Sequence, residues 1–110
     1  MDTYALIERA IVEREQVVAT YDGATREFCP HALGLKGDAR HVLGYQFAGA
    51  SKRGLPQGGD WRCFALDRLD NVATRPGPWH TNVNLFNPQT CLDQIEIVVQ
   101  PLPPAKGGKH

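Results

Sequence analysis

The stretch TREFCPHALGLKGDARHVLGYQFAG, Thr25 to Gly49, decides the fold. Its two apolar halves flank Gly37-Asp38, which reads as a two-residue hairpin loop. Lys36 then pairs with Ala39, and stepping outward sets Phe28 opposite Phe47. On that register His41, Leu43, Tyr45 and Phe47 line one face together with Phe28. An aromatic cross-strand pair supports the register, and a bulge near Pro30 would shift it.

Upstream, YALIERAIVERE (4–15) sets Tyr4, Ile7 and Ile11 at helical spacing, with Asp2 or Thr3 as the cap. QVVATYD (16–22) turns β-branched, and Asp22-Gly23 ends that strand. Downstream, GASKRGLPQGGD (49–60) reads as a long mobile loop, rich in Gly and Pro. WRCFAL (61–66) and NVATR (71–75) are short strands around the tight turn DRLD. QIEIVVQ (94–100) alternates, with Ile95, Ile97 and Val99 on one face. That last strand either closes the sheet or pairs with another copy at an edge. One helix followed by five or six short strands predicts a mainly β chain: a small, strongly bent sheet closing into a barrel. The helix would plug one open end or cover one edge. Residues 1–100 are expected to form this single domain, and PLPPAKGGKH (101–110) a disordered tail.

A chain of 110 residues supports one modest core and not two. The longest apolar runs are a few residues, so no transmembrane helix is expected. The acidic, amphipathic start MDTYALIERA lacks the pattern of a secretory signal. Cys29, Cys63 and Cys91 have no tight spacing, which favours free thiols in a reducing cytoplasm. A net charge of zero hides an asymmetry. Residues 1–25 carry 2 basic and 5 acidic groups, whereas residues 26–68 carry 7 basic and 4 acidic. That mild excess permits an anionic ligand, while a non-specific duplex binder needs far more.

The order and spacing of three segments resemble the WYL-domain family of bacterial regulators. They are AIVEREQVVATYDG, REFCPHALGLKGDARHVLGYQ and WRCFALDRLDNV, and the likeness runs from about residue 5 to 75. The three residues that name the family fall at Arg40, His41 and Val42, so the signature itself is absent. His41 stands where the tyrosine would be, and Arg62, Phe64 and Arg68 match the family's Arg-x-Phe-x-x-x-Arg run. The resemblance implies an Sm- or SH3-like β-barrel that senses ligands in transcription regulation. It also implies single-stranded nucleic acid or a nucleotide as ligand. Members often carry a helix-turn-helix. The lone helix here makes a solitary sensor, or one acting through a partner.

Arg62 is the residue that asks a chemical question. It alternates with Phe64 and Leu66, and a charge among apolar neighbours needs a partner. Asp60, Asp67 or Asp70 would serve as a structural partner; an external anion would make a binding site. Arg68, Arg26 and His41 are placed nearby as further ligand contacts. Tyr21 and Tyr45 either stack a base or are core residues with a wet hydroxyl. On the ligand reading, Arg62→Ala loses most of the binding.

Cys29 and His31 share a strand face, but no paired metal-ligand spacing accompanies them, so neither a metal nor any other cofactor is expected. Cys63 reads as an inert buried thiol. No nucleophile–base pair stands out, and GLPQGG lacks the lysine and helix of a phosphate loop, so the chain reads as a non-enzyme. Trp79 in PGPWHTN reads as a lid packed on the barrel in preference to an interface anchor. The competing function is a protein-interaction module, hetero- or homo-oligomeric, with Arg62 purely structural.

Overall fold

Two tight turns organise the sheet. Asp22 and Gly23 both take positive φ, +53° and +77°, which matches the right-handed twist of the strands they join. Gly37 takes φ +61° at the second turn, and its N–H donates to the Asp93 carboxylate at 2.7 Å. The computed structural model describes residues 2–50, 55–56, 58–82 and 86–100. The tail at 101–110 lies outside them, as does part of the 49–60 loop, so neither expectation is addressed.

The elements are helix α1 (Thr3–Glu13) and strands β1 (Gln16–Tyr21), β2 (Ala24–Lys36), β3 (Ala39–Gly49), β4 (Asp60–Ala65), β5 (Leu69–Arg75) and β6 (Gln94–Val98). Single 3-10 turns occupy Leu66–Arg68 and Pro88–Thr90. Asp2 caps α1 by accepting from the Ala5 N–H at 2.8 Å, and Ile7, Ala10 and Ile11 form its buried stripe. No helix among the described residues is long and apolar enough to cross a membrane.

Every strand pair is antiparallel, in the order β4-β3-β2-β1-β5, with β6 paired to β2. One edge of the long β2 is shared: β1 pairs with residues 24–28 and β6 with residues 32–35. The expected Sm- or SH3-like barrel is not formed; the sheet is open. Closure would require β4 and β5, the two ends of the order, to pair. They are joined instead by the Leu66–Arg68 turn, and Leu66 and Leu69 drop into the core beneath the gap. A side chain supplies the remaining link, because the Ala65 N–H donates to the Tyr21 hydroxyl at 3.0 Å.

The hairpin begins as expected, with Lys36 opposite Ala39. The register then slips between Pro30 and Ala32, leaving His31 as an extra residue on β2, and slips back beyond Phe28. Proline has no N–H for the ladder, so the bulge falls there for a chemical reason. Phe28 consequently faces Gln46 and not Phe47. Its ring joins Val42 and Phe64 in the larger core under α1, on the sheet face opposite Leu43. Gly44 makes room for that ring, since a Cβ there would overlap it. Gly44→Val is therefore expected to cost about 1–3 kcal/mol through overpacking, read as a lower urea midpoint at unchanged slope.

Consecutive residues divide between two apolar clusters. Leu33, Val42 and Phe64 face α1, while Ala32, Leu43 and Cys63 face the other way, under Cys91 and Leu92. There Cys63 and Cys91 form a disulfide, with Cα atoms 5.5 Å apart. The expectation of three free thiols, with Cys63 inert, is overturned. The Pro88–Thr90 turn brings residues 28 apart in sequence into bonding range, and no spacing pattern signals that. Cys29 alone is free, and burial pushes its thiol up to about 11, far from a nucleophile's range.

Candidate anion-binding site

The strand pairing lays one row of side chains across the α1-facing side of four strands. Asp60 and Arg62 on β4 sit opposite Gln46 and Gly44 on β3. Gln46 opposes Phe28 on β2, and Arg26 alternates with Phe28. Arg26 opposes Ala19 on β1, which alternates with Tyr21. Arg62, Gln46, Arg26 and Tyr21 therefore share one face by register, although no spacing in the sequence groups them.

Arg62 has an internal carboxylate. It reaches Asp60 at 2.7 Å and the Trp61 carbonyl at 3.1 Å, with about a quarter of its side chain exposed. Among the described residues, the buried cation without a carboxylate is Arg26. It is 5% exposed, donates from Nη2 to the Tyr21 carbonyl at 3.1 Å, and lies 5.6 Å from the Tyr21 ring centre. Its Nε makes no hydrogen bond among the described residues, and no Asp or Glu there forms an ion pair with it. A buried guanidinium with one unmatched donor is costly unless something else satisfies it.

Arg68 completes the cluster from the turn after β4. Its guanidinium lies 4.7 Å from the same Tyr21 ring and pairs with the Asp22 carboxylate, which holds it firmly protonated. Tyr21 is thus contacted by two cations, and its hydroxyl is occupied by the Ala65 N–H. It is a core residue, as one of the two readings had it, with its hydroxyl bonded to the backbone. Gln46 was missed by sequence reasoning. Fully buried, it bonds through Nε2 to the Ala48 and Ala50 carbonyls at 3.0 Å each, while its Oε1 makes no hydrogen bond among the described residues. A glutamine inside the apolar run LGYQF was the available signal.

The remaining two nominated residues lie elsewhere. Tyr45 opposes Trp61 on the other face, where the rings meet edge-on at 5.2 Å and its hydroxyl donates to the Gly58 carbonyl at 2.8 Å. His41 alternates with Leu43 on that same face, with Nδ1 3.3 Å from the Ala39 carbonyl. The structure therefore separates them from the arginines.

A depression of about 550 Å³ beside the start of α1 does not coincide with the arginine cluster. Asp2, Asp38 and Asp67 line it with Tyr4 and Arg40, and Glu96 engages Arg40 at 3.0 and 3.1 Å. That acidic wall repels an anion, so charge and not concavity marks the site. Trp79 is half-buried against the larger core and lies 4.8 Å from the His31 ring, with Arg14 5.8 Å above it. Among the described residues, no group of His, Cys, Asp and Glu converges as a metal would require.

No curated protein and no solved structure shows a significant match to this chain. A family model for the WYL domain matches residues 2–74, from the cap of α1 almost to the end of β5, and the chain belongs to the WYL-domain family.

Proposed function

We propose that this chain is a ligand-sensing regulatory domain whose Arg26–Tyr21–Arg68 cluster, with Arg62 alongside, receives an anionic ligand: single-stranded nucleic acid or a nucleotide. Membership of a family of regulatory and non-catalytic modules supports the general reading. The observation that carries the finer one is the buried Arg26, which no carboxylate pairs among the described residues. Arg68 and Arg62 are paired with the carboxylates of Asp22 and Asp60, and among the described residues of the cluster Arg26 is the cation that no carboxylate pairs. An arriving phosphate exchanges with those carboxylates on the two more exposed arginines, and Arg26 tips the balance toward binding. With so few cations the salt dependence is shallow, a log–log slope of roughly −1 to −2.

The decisive variant is Arg26→Met, which keeps the length and removes the charge. Fluorescence anisotropy with labelled oligothymidylate at low salt is expected to show binding weakened at least about tenfold. The melting temperature is expected to stay level or rise, since an unmatched buried charge has gone. Unchanged binding in Arg26→Met would sink the proposal. So would a large drop in melting temperature, which would make Arg26 a structural residue.

A further inference from the structure

Between β5 and β6, residues 76–82 and 86–93 are described, all beyond the family match, and Phe86, Cys91 and Leu92 join the second apolar cluster. The first part is tied to the sheet by hydrogen bonds. Gln16 Nε2 donates to the Pro78 carbonyl at 2.6 Å, and the His80 N–H meets Cys29 Sγ at 3.2 Å. Thr81 Oγ1 lies 2.8 Å from His31 Nε2, and Trp61 Nε1 donates to the Asn82 carbonyl at 3.1 Å. The later part is held differently. The N–H groups of Thr90, Cys91 and Leu92 all bond within the segment, to Asn87 and Pro88 carbonyls. What fastens residues 86–92 to the sheet is the bond to Cys63, with Phe86 and Leu92 packed beside it; only at Asp93 do hydrogen bonds resume, its N–H donating to the Leu35 carbonyl at 2.7 Å and its carboxylate accepting from the Gly37 N–H.

We propose that the Cys63–Cys91 disulfide is a redox-set latch: reduction by a dithiol frees residues 86–92 while α1 and β1–β5 stay folded. Cys63 is partly exposed and Cys91 only 2%, so the attacking thiolate reaches Cys63 Sγ. The S–S bond breaks and Cys91 leaves as a thiolate that takes a proton. The second thiol of the reductant then displaces Cys63. Two electrons and two protons pass to the protein, and the dithiol becomes a cyclic disulfide. Release uncovers Leu43 and Trp61 on a face that the family-matched strands otherwise leave apolar.

The test is native alkylation with iodoacetamide, located by mass spectrometry, before and after dithiothreitol. The oxidised protein is expected to label at neither Cys63 nor Cys91. After reduction Cys91 is expected to label at least about tenfold faster than Cys29, with the circular dichroism spectrum retained. Cys29, fully buried in β2 beneath the His80 N–H, reports any opening that spreads beyond residues 86–92. Cys63→Ser is expected to give the same Cys91 labelling without reductant. Three results would overturn the latch: Cys91 as protected as Cys29 after reduction, Cys29 labelling in step with it, or both thiols free in the air-oxidised protein.

Discussion

Acidification from pH 7 to pH 4 is expected to remove about 3 kcal/mol of stability through His31 alone. The ring is fully buried, between Trp61 and Trp79 at 4.6 and 4.8 Å. Nδ1 lies 2.7 Å from the Cys29 carbonyl, so it carries the proton, and Nε2 accepts from the Thr81 hydroxyl. Burial drives the imidazole down to about 4 from the ordinary 6.5; the Cys29 carbonyl opposes this, and Arg14 adds to it. Above pH 6.5 both folded and unfolded chains hold a neutral His31, and its contribution is complete. Below 6.5 the unfolded chain takes up a proton that the folded one refuses, so stability falls until about pH 4 and then levels. Urea unfolding at several pH values, compared with His31→Leu, isolates the effect. The variant keeps the carboxylate contributions, so an equal pH slope in both proteins would refute the assignment.

Phe64→Ala is expected to be the most damaging single truncation, at about 3–5 kcal/mol. Phe64 is 1% exposed on β4 and touches two aromatic rings, Tyr21 edge-on at 4.9 Å and Phe28 at 4.6 Å. These partners belong to β1 and β2, so removing the ring loosens the two sides of the open sheet at once. The cavity cannot collapse easily, because the Tyr21 hydroxyl is held by the Ala65 N–H next to Phe64. Phe64→Leu keeps much of the volume and is expected to cost well under half as much. Equal losses for both variants in urea titrations would show that ring packing is not what matters there.

The reading of Arg62 shows where sequence reasoning stopped short. Alternation correctly set Arg62 beside Phe64, and Asp60 was among the partners considered. Both facts depend only on neighbours along one strand. Arg26 was nominated only as a further contact, and nothing in Thr-Arg-Glu marks it as buried. Its burial arises from Tyr21 and from strands on either side. The six nominated residues split for the same kind of reason: facing depends on cross-strand register, and His41 and Tyr45 belong to the other face.

Helix, strands and turns of this protein were settled by the chain's own local chemistry. The spacing of Ile7 and Ile11, the Asp2 cap, the Asp22-Gly23 and Gly37-Asp38 turns and the alternation in β4 each act over a few residues. Even the bulge had a local cause in Pro30. Tertiary structure decided the rest. Whether the sheet closes depends on whether β4 and β5 meet, and Leu66 and Leu69 instead bury themselves between those edges. The Cys63–Cys91 bond and the isolated charge of Arg26 are likewise properties of distances between segments. Pairing of thiols and compensation of charge are set by what lies within a few ångströms, and chain folding alone brings those atoms together.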